Sequence, residues 1–105
     1  MIALTVGPFG RGVESRPDYI DSRLLAAAVA ESHTVPTGAK WVCFSAEMPF
    51  YAKFGAAPTA AIPAADVTDG TGSMFNPTWV DISSGAAVIS VIARTAGVVS
   101  MYFYA

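Results

Sequence analysis

The chain has 105 residues, of which 53% are hydrophobic and only 13% charged, and its formal net charge is −2. This length accommodates one domain with one core, and no run of Lys or Arg provides the basic surface that nucleic-acid binding requires. No apolar stretch reaches the roughly 20 residues that cross a bilayer, and a single cysteine excludes an intrachain disulfide. We expect a soluble protein made in a reducing cytosol, without nucleic-acid, membrane or cofactor partners.

The shortage of charge predicts a protein partner. An average soluble domain has about 25% charged residues, so this chain has few polar groups with which to cover a small domain. We therefore expect another protein to cover part of the surface, either in an oligomer or in a larger assembly.

The first 18 residues divide into a short apolar run and a segment rich in glycine and proline. Residues 2–6, IALTV, are typical of a short strand, whereas residues 7–18 predict an irregular extended arm. Two interpretations of the arm stay open, namely simple terminal disorder and a segment that becomes ordered on a neighbouring subunit. Residues 19–105 are then the single folded domain.

Residues 19–35 combine helix and strand signals. Asp21 or Ser22 is a suitable helix N-cap, and the run LLAAA favours a helix by propensity. The apolar residues, however, are continuous rather than arranged in a helical stripe, and the residues before Pro36 are typical of extended chain. We expect extended structure over the second half of this segment.

From Pro36 onward, apolar residues alternate with other residues as they do in β-strands. Strand-like runs occupy residues 39–46, 50–54, 78–82, 87–93 and 98–104. The positions predicted to face the core are Val42, Phe44, Ala46, Phe50, Ala52, Phe54, Val80, Ile82, Val99, Met101 and Phe103. Because only residues 47–49 separate the first two runs, we expect these to pair as an antiparallel hairpin. Short strands between Pro and Gly turns predict an all-β sandwich or barrel.

The polar stretch PAADVTDGTGSMFNP, residues 63–77, contains the carboxylate and hydroxyl oxygens that Ca²⁺ prefers. Its spacing differs from that of an EF-hand loop, and no glutamate follows as a bidentate ligand. Asp-Gly and Gly-Ser pairs are also typical of turns. We expect a structural connection between two sheets, with a cation site at residues 66–73 as the alternative.

Catalytic residues are scarce in the sequence. His33 is the only histidine and is expected to be at the surface or partly buried, on the opposite strand face from Ser32. Cys43 lies mid-strand, where a thiol usually packs as a small apolar group, and a Cys–His nucleophile pair is the alternative. Motifs of serine hydrolases, phosphate loops and dinucleotide-binding folds are missing, so we expect no enzyme.

Five aromatic residues fall on strand faces opposite the inward positions, namely Trp41, Tyr51, Trp79, Tyr102 and Tyr104. One interpretation is that both faces of each sheet are partly buried and the aromatic rings fill the edge of a sandwich. A second is an interface for self-association or docking, where Tyr and Trp are enriched. A third is a platform on which sugars stack, which requires flanking polar residues, and only Lys53 and Asp81 are placed for that role.

Three segments of the sequence resemble small virion proteins of tailed bacteriophages. They are HTVPTGAKWVCFSAEMPFYAKFG (residues 33–55), IPAADVTDGTGSMFNPTWVDI (residues 62–82) and ISVIARTAGVVSMYFY (residues 89–104). The resemblance lies in a Val-Pro-x-Gly-Ala turn, a Phe-Tyr-x-Lys-Phe-Gly strand and a Pro-Ala-Ala-Asp-Val-Thr-Asp-Gly connection to an Asn-Pro. It covers about two thirds of the chain.

This resemblance implies a compact, jelly-roll-like antiparallel β-sandwich that coats or cements the icosahedral head. Its expected partners are the major capsid protein and other copies of itself in a homotrimer, on the capsid surface of the virion. A tail, connector or fibre-anchoring protein is the alternative virion role, and a carbohydrate-binding module is a further one. The residues expected to bind the capsid or to associate with other copies are Phe9, Arg11, Glu14 and Arg16 in the arm and Trp41, Tyr51, Trp79, Tyr102 and Tyr104 in the domain.

Overall fold

A computed structural model describes residues 16–105, and this part of the chain contains eight β-strands and no helix. The strands are β1 (Tyr19–Leu25), β2 (Glu31–Thr34), β3 (Trp41–Ala46), β4 (Tyr51–Gly55), β5 (Met74–Phe75), β6 (Trp79–Asp81), β7 (Val88–Ile92) and β8 (Gly97–Tyr104). They form two antiparallel sheets, the first with strand order β1-β8-β3-β6 and the second with order β2-β7-β4-β5. The predicted all-β, antiparallel class is confirmed. The predicted strand at residues 2–6 and most of the arm lie outside the described residues.

The core lies between the two sheets, which pack face to face. In β8, Val99, Met101 and Phe103 are fully buried, as the period-two pattern predicts. Phe44 of β3 contacts the rings of Phe50 and Phe54, with centroids 5.4 and 6.0 Å apart. Residues of both sheets belong to this one core cluster, so each sheet buries one face against the other.

The predicted hairpin between β3 and β4 is wrong, because these strands lie in different sheets. Glu47 stays with the first sheet, where its N–H donates to Val98 O and its Oε1 accepts from Val98 N–H. Phe50 is already on the second side, where its N–H donates to Asn76 Oδ1 at 2.9 Å. Residues 47–49 therefore cross between the sheets. The alternation of inward-facing residues on β3 and β4 is the same for a hairpin and for such a crossing, so the sequence pattern does not distinguish them.

Residues 19–35 form two strands rather than a helix followed by a strand. The extended second half is confirmed as β2, and the first half is also extended, as β1. Between them Ala28 takes a positive φ of 60° and its N–H donates to Ala93 O at 2.7 Å. Strand pairing with β8 overrides the helix propensity of LLAAA, because seven residues of β1 gain cross-strand partners there.

The expected connection between the sheets at residues 63–77 is correct only for Asn76 and Pro77, because residues 63–73 belong to the loop of residues 56–73. This loop runs from β4 to β5, and these strands pair as neighbours in the second sheet. The crossing to the first sheet comes after β5, between Phe75 and Trp79. Asn76 turns the chain at this point, since it has a positive φ of 47° and its N–H donates a hydrogen bond to Phe50 O. The two-residue strand β5 was too short to predict from alternation.

Candidate interaction surface

The chain itself covers the middle of the outer face of the second sheet, around β7. Ser90 and Ile92 of β7 point away from the core, yet their exposed fractions are only 0% and 8%. Ala60, in the loop of residues 56–73, is also buried, and its N–H donates to Ser90 Oγ at 2.8 Å. The loop therefore lies over β7, and its Ala60 N–H gives the buried hydroxyl of Ser90 a hydrogen-bond donor.

The same loop is fixed by turn hydrogen bonds of its own. Asp69 Oδ1 accepts from Thr71 N–H at 3.1 Å and from Thr71 Oγ1 at 2.6 Å. These bonds stabilise the carboxylate and hold the pKa of Asp69 below its ordinary value. Gly70, between them, has a φ of 86°, a conformation that favours glycine. No group of three or more His, Cys, Asp or Glu side chains able to hold a metal ion occurs in residues 16–105.

The outer face of the first sheet carries an aromatic group drawn from three strands. Cys43 of β3 pairs in register with Tyr102 of β8 and with Trp79 of β6. Trp41, two residues earlier on the same face, pairs with Tyr104. The two tryptophans are 41% and 42% exposed, whereas Tyr104 is buried beside Trp79, with ring centroids 5.0 Å apart. The aromatic rings thus form one continuous patch that solvent reaches.

Aliphatic side chains extend this patch across β1. Ile20 pairs in register with Tyr102, and Leu24 pairs with Val98. Ile20 is 58% exposed and Leu24 is 73% exposed. We call the outer face of the first sheet the tryptophan face. Its aliphatic, thiol and aromatic residues are Ile20, Leu24, Trp41, Cys43, Trp79, Tyr102 and Tyr104.

A row of serines separates Leu24 from Ile20 and the aromatic residues of the tryptophan face. Ser22, Ser100 and Ser45 stand side by side on β1, β8 and β3, and the hydroxyls of Ser22 and Ser100 lie 2.8 Å apart. Asp81 is the one charged residue of the strands on this face among the described residues, and it sits at the β6 edge. Ser83 donates to Asp81 Oδ1 from its N–H and its hydroxyl, which lowers the pKa of Asp81.

The structure brings together four of the five predicted aromatic residues. Trp41, Trp79, Tyr102 and Tyr104 share the tryptophan face, whereas Tyr51 lies in the second sheet, where its ring is 5.0 Å from that of Phe75. Lys53, considered as a flank for the aromatic platform, also lies in the second sheet. The exposed Ile20 and Leu24 were not predicted, because the helix signal of LLAAA obscured which side chains point outward.

The arm residues are largely outside the described part of the chain. Phe9, Arg11 and Glu14 are not described, and Arg16 is exposed at the first described position. Asp18 belongs to the sandwich, since its N–H donates to Phe103 O at 2.9 Å and its Oδ2 accepts from Ala105 N–H at 2.8 Å. The chain thus enters the first sheet beside the aromatic end of the tryptophan face.

A groove lies at this entry point. Its volume is about 260 Å³. It is lined by Asp18, Tyr19, the turn of residues 36–39 and the last residues of β8. The segment that precedes Asp18 therefore leaves the sandwich from the rim of a groove.

His33 lies in a polar cluster between the edge strands β1 and β2. Arg23 Nη2 donates to His33 Nδ1 at 3.3 Å, and His33 Nε2 contacts Asp21 Oδ2. Arg23 Nη1 also lies 3.5 Å from Glu31 Oε1. The predicted partial burial of His33 is confirmed. Because His33 faces the interior and Cys43 the outer face of the first sheet, the structure does not bring the two together as a nucleophile pair.

Comparison of the chain with protein-family models, with curated proteins and with solved structures gave no match. Within residues 16–105 there is no helix long and apolar enough to cross a membrane. Function is therefore inferred from the geometry of the two outer faces and from the sequence segments quoted above.

Proposed function

We propose that this protein is a structural component of a phage virion, which binds the assembled capsid and stabilises it as a cement protein. The observation that carries the proposal is the tryptophan face, a four-stranded surface with exposed Trp41, Trp79, Ile20 and Leu24 and a single charge at its edge. Soluble monomers seldom expose contiguous apolar patches of this kind, and such patches mark protein-binding sites. The proposal includes no catalytic role.

The order of the strands supports a jelly roll as the finer description of the fold. The pairs β1–β8, β2–β7, β3–β6 and β4–β5 all occur, as expected if one long antiparallel ribbon is rolled up into two sheets. Double-sheet jelly rolls are common in viral capsid proteins and also in lectins. The fold alone therefore leaves both a virion role and a sugar-binding role open, and the segments that resemble phage virion proteins favour the first.

A cement protein stabilises the shell by binding the assembled lattice and not the separate capsid subunits. Any partner that binds one state alone shifts the equilibrium toward that state by mass action. Many copies that each bridge more than one capsid subunit add avidity to this effect. In this proposal the protein is made in the bacterial cytoplasm and ends on the capsid surface.

The arm is the part proposed to reach a neighbouring capsid subunit. It leaves the sandwich at Arg16, beside the groove lined by Asp18 and Tyr19. Its side chains Phe9, Arg11, Glu14 and Arg16 provide one aromatic ring and charges of both signs for such a contact. Asp18 stays with the domain, because it is hydrogen-bonded to the end of β8.

The test is co-sedimentation of the purified protein with expanded empty heads of its own phage, with bound copies counted per major-capsid subunit. Saturation near one copy per capsid subunit supports a cement protein. No binding, or about a dozen copies per head, overturns the cement role and points to a connector or tail position.

A variant that lacks residues 1–15 tests the arm in the same assay. We expect an unchanged melting temperature, because Asp18 and its hydrogen bonds remain. Head binding should weaken at least about tenfold, equivalent to a loss of about 1.4 kcal/mol per copy. Normal binding by the truncated chain would show that the arm does not contact the capsid.

Sugar binding is the second candidate function, favoured by one feature of the tryptophan face. The row of Ser22, Ser100 and Ser45 lies next to the row that contains Trp79, so hydroxyl groups flank one of the two exposed tryptophans. A glycan-binding screen with the Trp41→Ala and Trp79→Ala variants tests it. Binding that both substitutions abolish would replace the cement proposal if heads are not bound.

A further inference from the structure

We propose that the tryptophan face packs against the same face of a second copy of this chain, so that the protein forms a two-fold dimer through its first sheet. The inference rests on the proposed function in one respect, namely that another protein of the virion covers this face, and it leaves the contact with the capsid to the arm. It names that protein as a second copy. It also replaces the homotrimer implied by the sequence resemblance with a face-to-face pair.

The distribution of charge makes the face compatible with itself. In a two-fold contact, the same patch meets its own copy, so any charge near the centre faces a like charge. The tryptophan face has uncharged side chains at its centre, and Asp81 lies at the β6 edge. A two-fold axis parallel to the strands through the centre of the face places the two Asp81 residues at opposite edges. Self-association therefore creates no like-charge contact.

The footprint of the face is about half of what each partner of a standard interface buries. Its strands have seven, eight, six and three residues and lie about 4.8 Å apart, which gives a footprint on the order of 400 Å². Projecting side chains and the turns at the strand ends add area toward the roughly 800 Å² per partner of a standard interface. Trp and Tyr are the residues that most often dominate the binding energy of such interfaces.

Sheet geometry favours a pair of identical faces. All sheets twist with the same hand, and two twisted sheets pack well when their strands are nearly aligned. The two sheets of this sandwich already pack face to face around one core that includes Phe44 and Phe103. A second copy brings a face of equal twist, and the same two-fold axis places Trp41 opposite β8 of the partner and Trp79 opposite β1 of the partner, at the level of Ile20.

The test measures the mass of the purified chain in the absence of capsids. Size-exclusion chromatography with light scattering, from low micromolar to millimolar concentration, should approach twice the 10.9 kDa of one chain. The double variant Ile20→Lys with Leu24→Lys should halve the mass at the highest concentration. Both side chains are more than half exposed in the single chain, so the variant should keep its melting temperature. The matched control is Phe75→Lys, because Phe75 is 57% exposed but lies in the second sheet, and this variant should still pair.

Two intrinsic probes report on the same face. Both tryptophans of the chain and its only cysteine lie on it. With rising concentration, the tryptophan emission should shift to shorter wavelength and the labelling of Cys43 by a thiol reagent should slow.

Three results would overturn the inference. They are a single-chain mass at every concentration, a mass of three chains, and a double variant that pairs as well as the wild type. An increase in Cys43 labelling on removal of residues 1–15 from the monomer would instead make the N-terminal segment the occupant of the face. Pairing without head binding would refute the proposed function alone, and head binding by a strict monomer would refute the pair alone.

Discussion

The outer face of the second sheet holds Ser90 and Ile92 beneath the loop of residues 56–73, whereas the outer face of the first sheet leaves Trp41, Trp79, Ile20 and Leu24 in contact with solvent. Both faces belong to four-stranded sheets that share one core. The chain covers the middle of the second face, where Phe75 at the β5 edge stays 57% exposed, and leaves the tryptophans and aliphatic side chains of the first face open to solvent. The difference makes the first face the better candidate for a binding surface.

The largest expected effect is a difference in the free energy of unfolding between two matched substitutions, one on each outer face. Ile92→Asp places a carboxylate on the covered face, where the side chain is 8% exposed, and should destabilise the fold by about 4 kcal/mol. Leu24→Asp places the same carboxylate on the tryptophan face, where the side chain is 73% exposed, and should change stability by less than about 0.5 kcal/mol. Urea unfolding at low protein concentration measures both. Equal losses would mean that the tryptophan face is also buried within the single chain.

The hydrogen bond under the loop gives the next largest effect. Ser90→Ala leaves the buried N–H of Ala60 without its acceptor and should cost about 2 kcal/mol. Ser100→Ala removes a hydroxyl from the tryptophan face, where its partner Ser22 is solvent-exposed, and should cost less than about 0.5 kcal/mol. Amide hydrogen exchange of Ala60 is the direct measurement. Unchanged protection of that amide in Ser90→Ala would contradict the covering role of the loop.

Asn76 fixes the chain where it leaves the covered sheet, and its replacement should have a smaller effect. Asn76→Ala removes the acceptor for Phe50 N–H and puts alanine at a φ of 47°, at a cost of about 1.5 kcal/mol. Asn76→Asp keeps an acceptor and a residue that tolerates this conformation, so it should cost less. Thermal unfolding measures the stability of the two variants. An equal loss of stability would contradict the role of the acceptor and of the positive φ, and would assign the effect to the lost amide group or to the added charge.

The smallest expected effect concerns two exposed carboxyl groups, one in the covering loop and one on the tryptophan face. Asp69 and Asp81 should titrate below their ordinary pKa of 3.8, because Thr71 and Ser83 donate hydrogen bonds to them. Lowered folded-state pKa values mean that the small stability from these turns is present above pH 3.8 and is lost as pH falls through the lowered values. Carboxyl NMR titration measures both midpoints. Thr71→Val should raise the pKa of Asp69 alone, and Ser83→Ala that of Asp81 alone.

The sequence predicted the strands and their inward faces well, because alternation is a local property. Val42, Val99, Met101 and Phe103 are buried at the positions that period two indicates. The sheet to which each strand belongs is not local. Residues 47–49 looked like a hairpin turn, but a short link can also cross a sandwich, and only the hydrogen bonds of Glu47 to Val98 decide between the two.

The candidate surface was predictable only in part. Trp41, Trp79 and Tyr102 were identified as outward-facing, but their meeting on one sheet depends on the order β8-β3-β6, which pairs strands distant in the sequence. Tyr51 had the same local pattern and lies in the other sheet. The cover over Ser90 was unpredictable for the same reason, because Ala60 has no sequence feature that marks it as buried.

The polar cluster between β1 and β2 has a consequence for how copies of this protein meet. Each of these strands lies at the edge of its sheet. The side chains that point from them into the gap between the sheets are Asp21, Arg23, Glu31 and His33. Charged side chains that point inward at an edge discourage a further strand from pairing there, since it would enclose them away from water. The sheets are thereby protected at this edge from pairing with a strand of another copy. This leaves the faces of the sheets, and not the β1 and β2 edges, as the surfaces available for contact between copies.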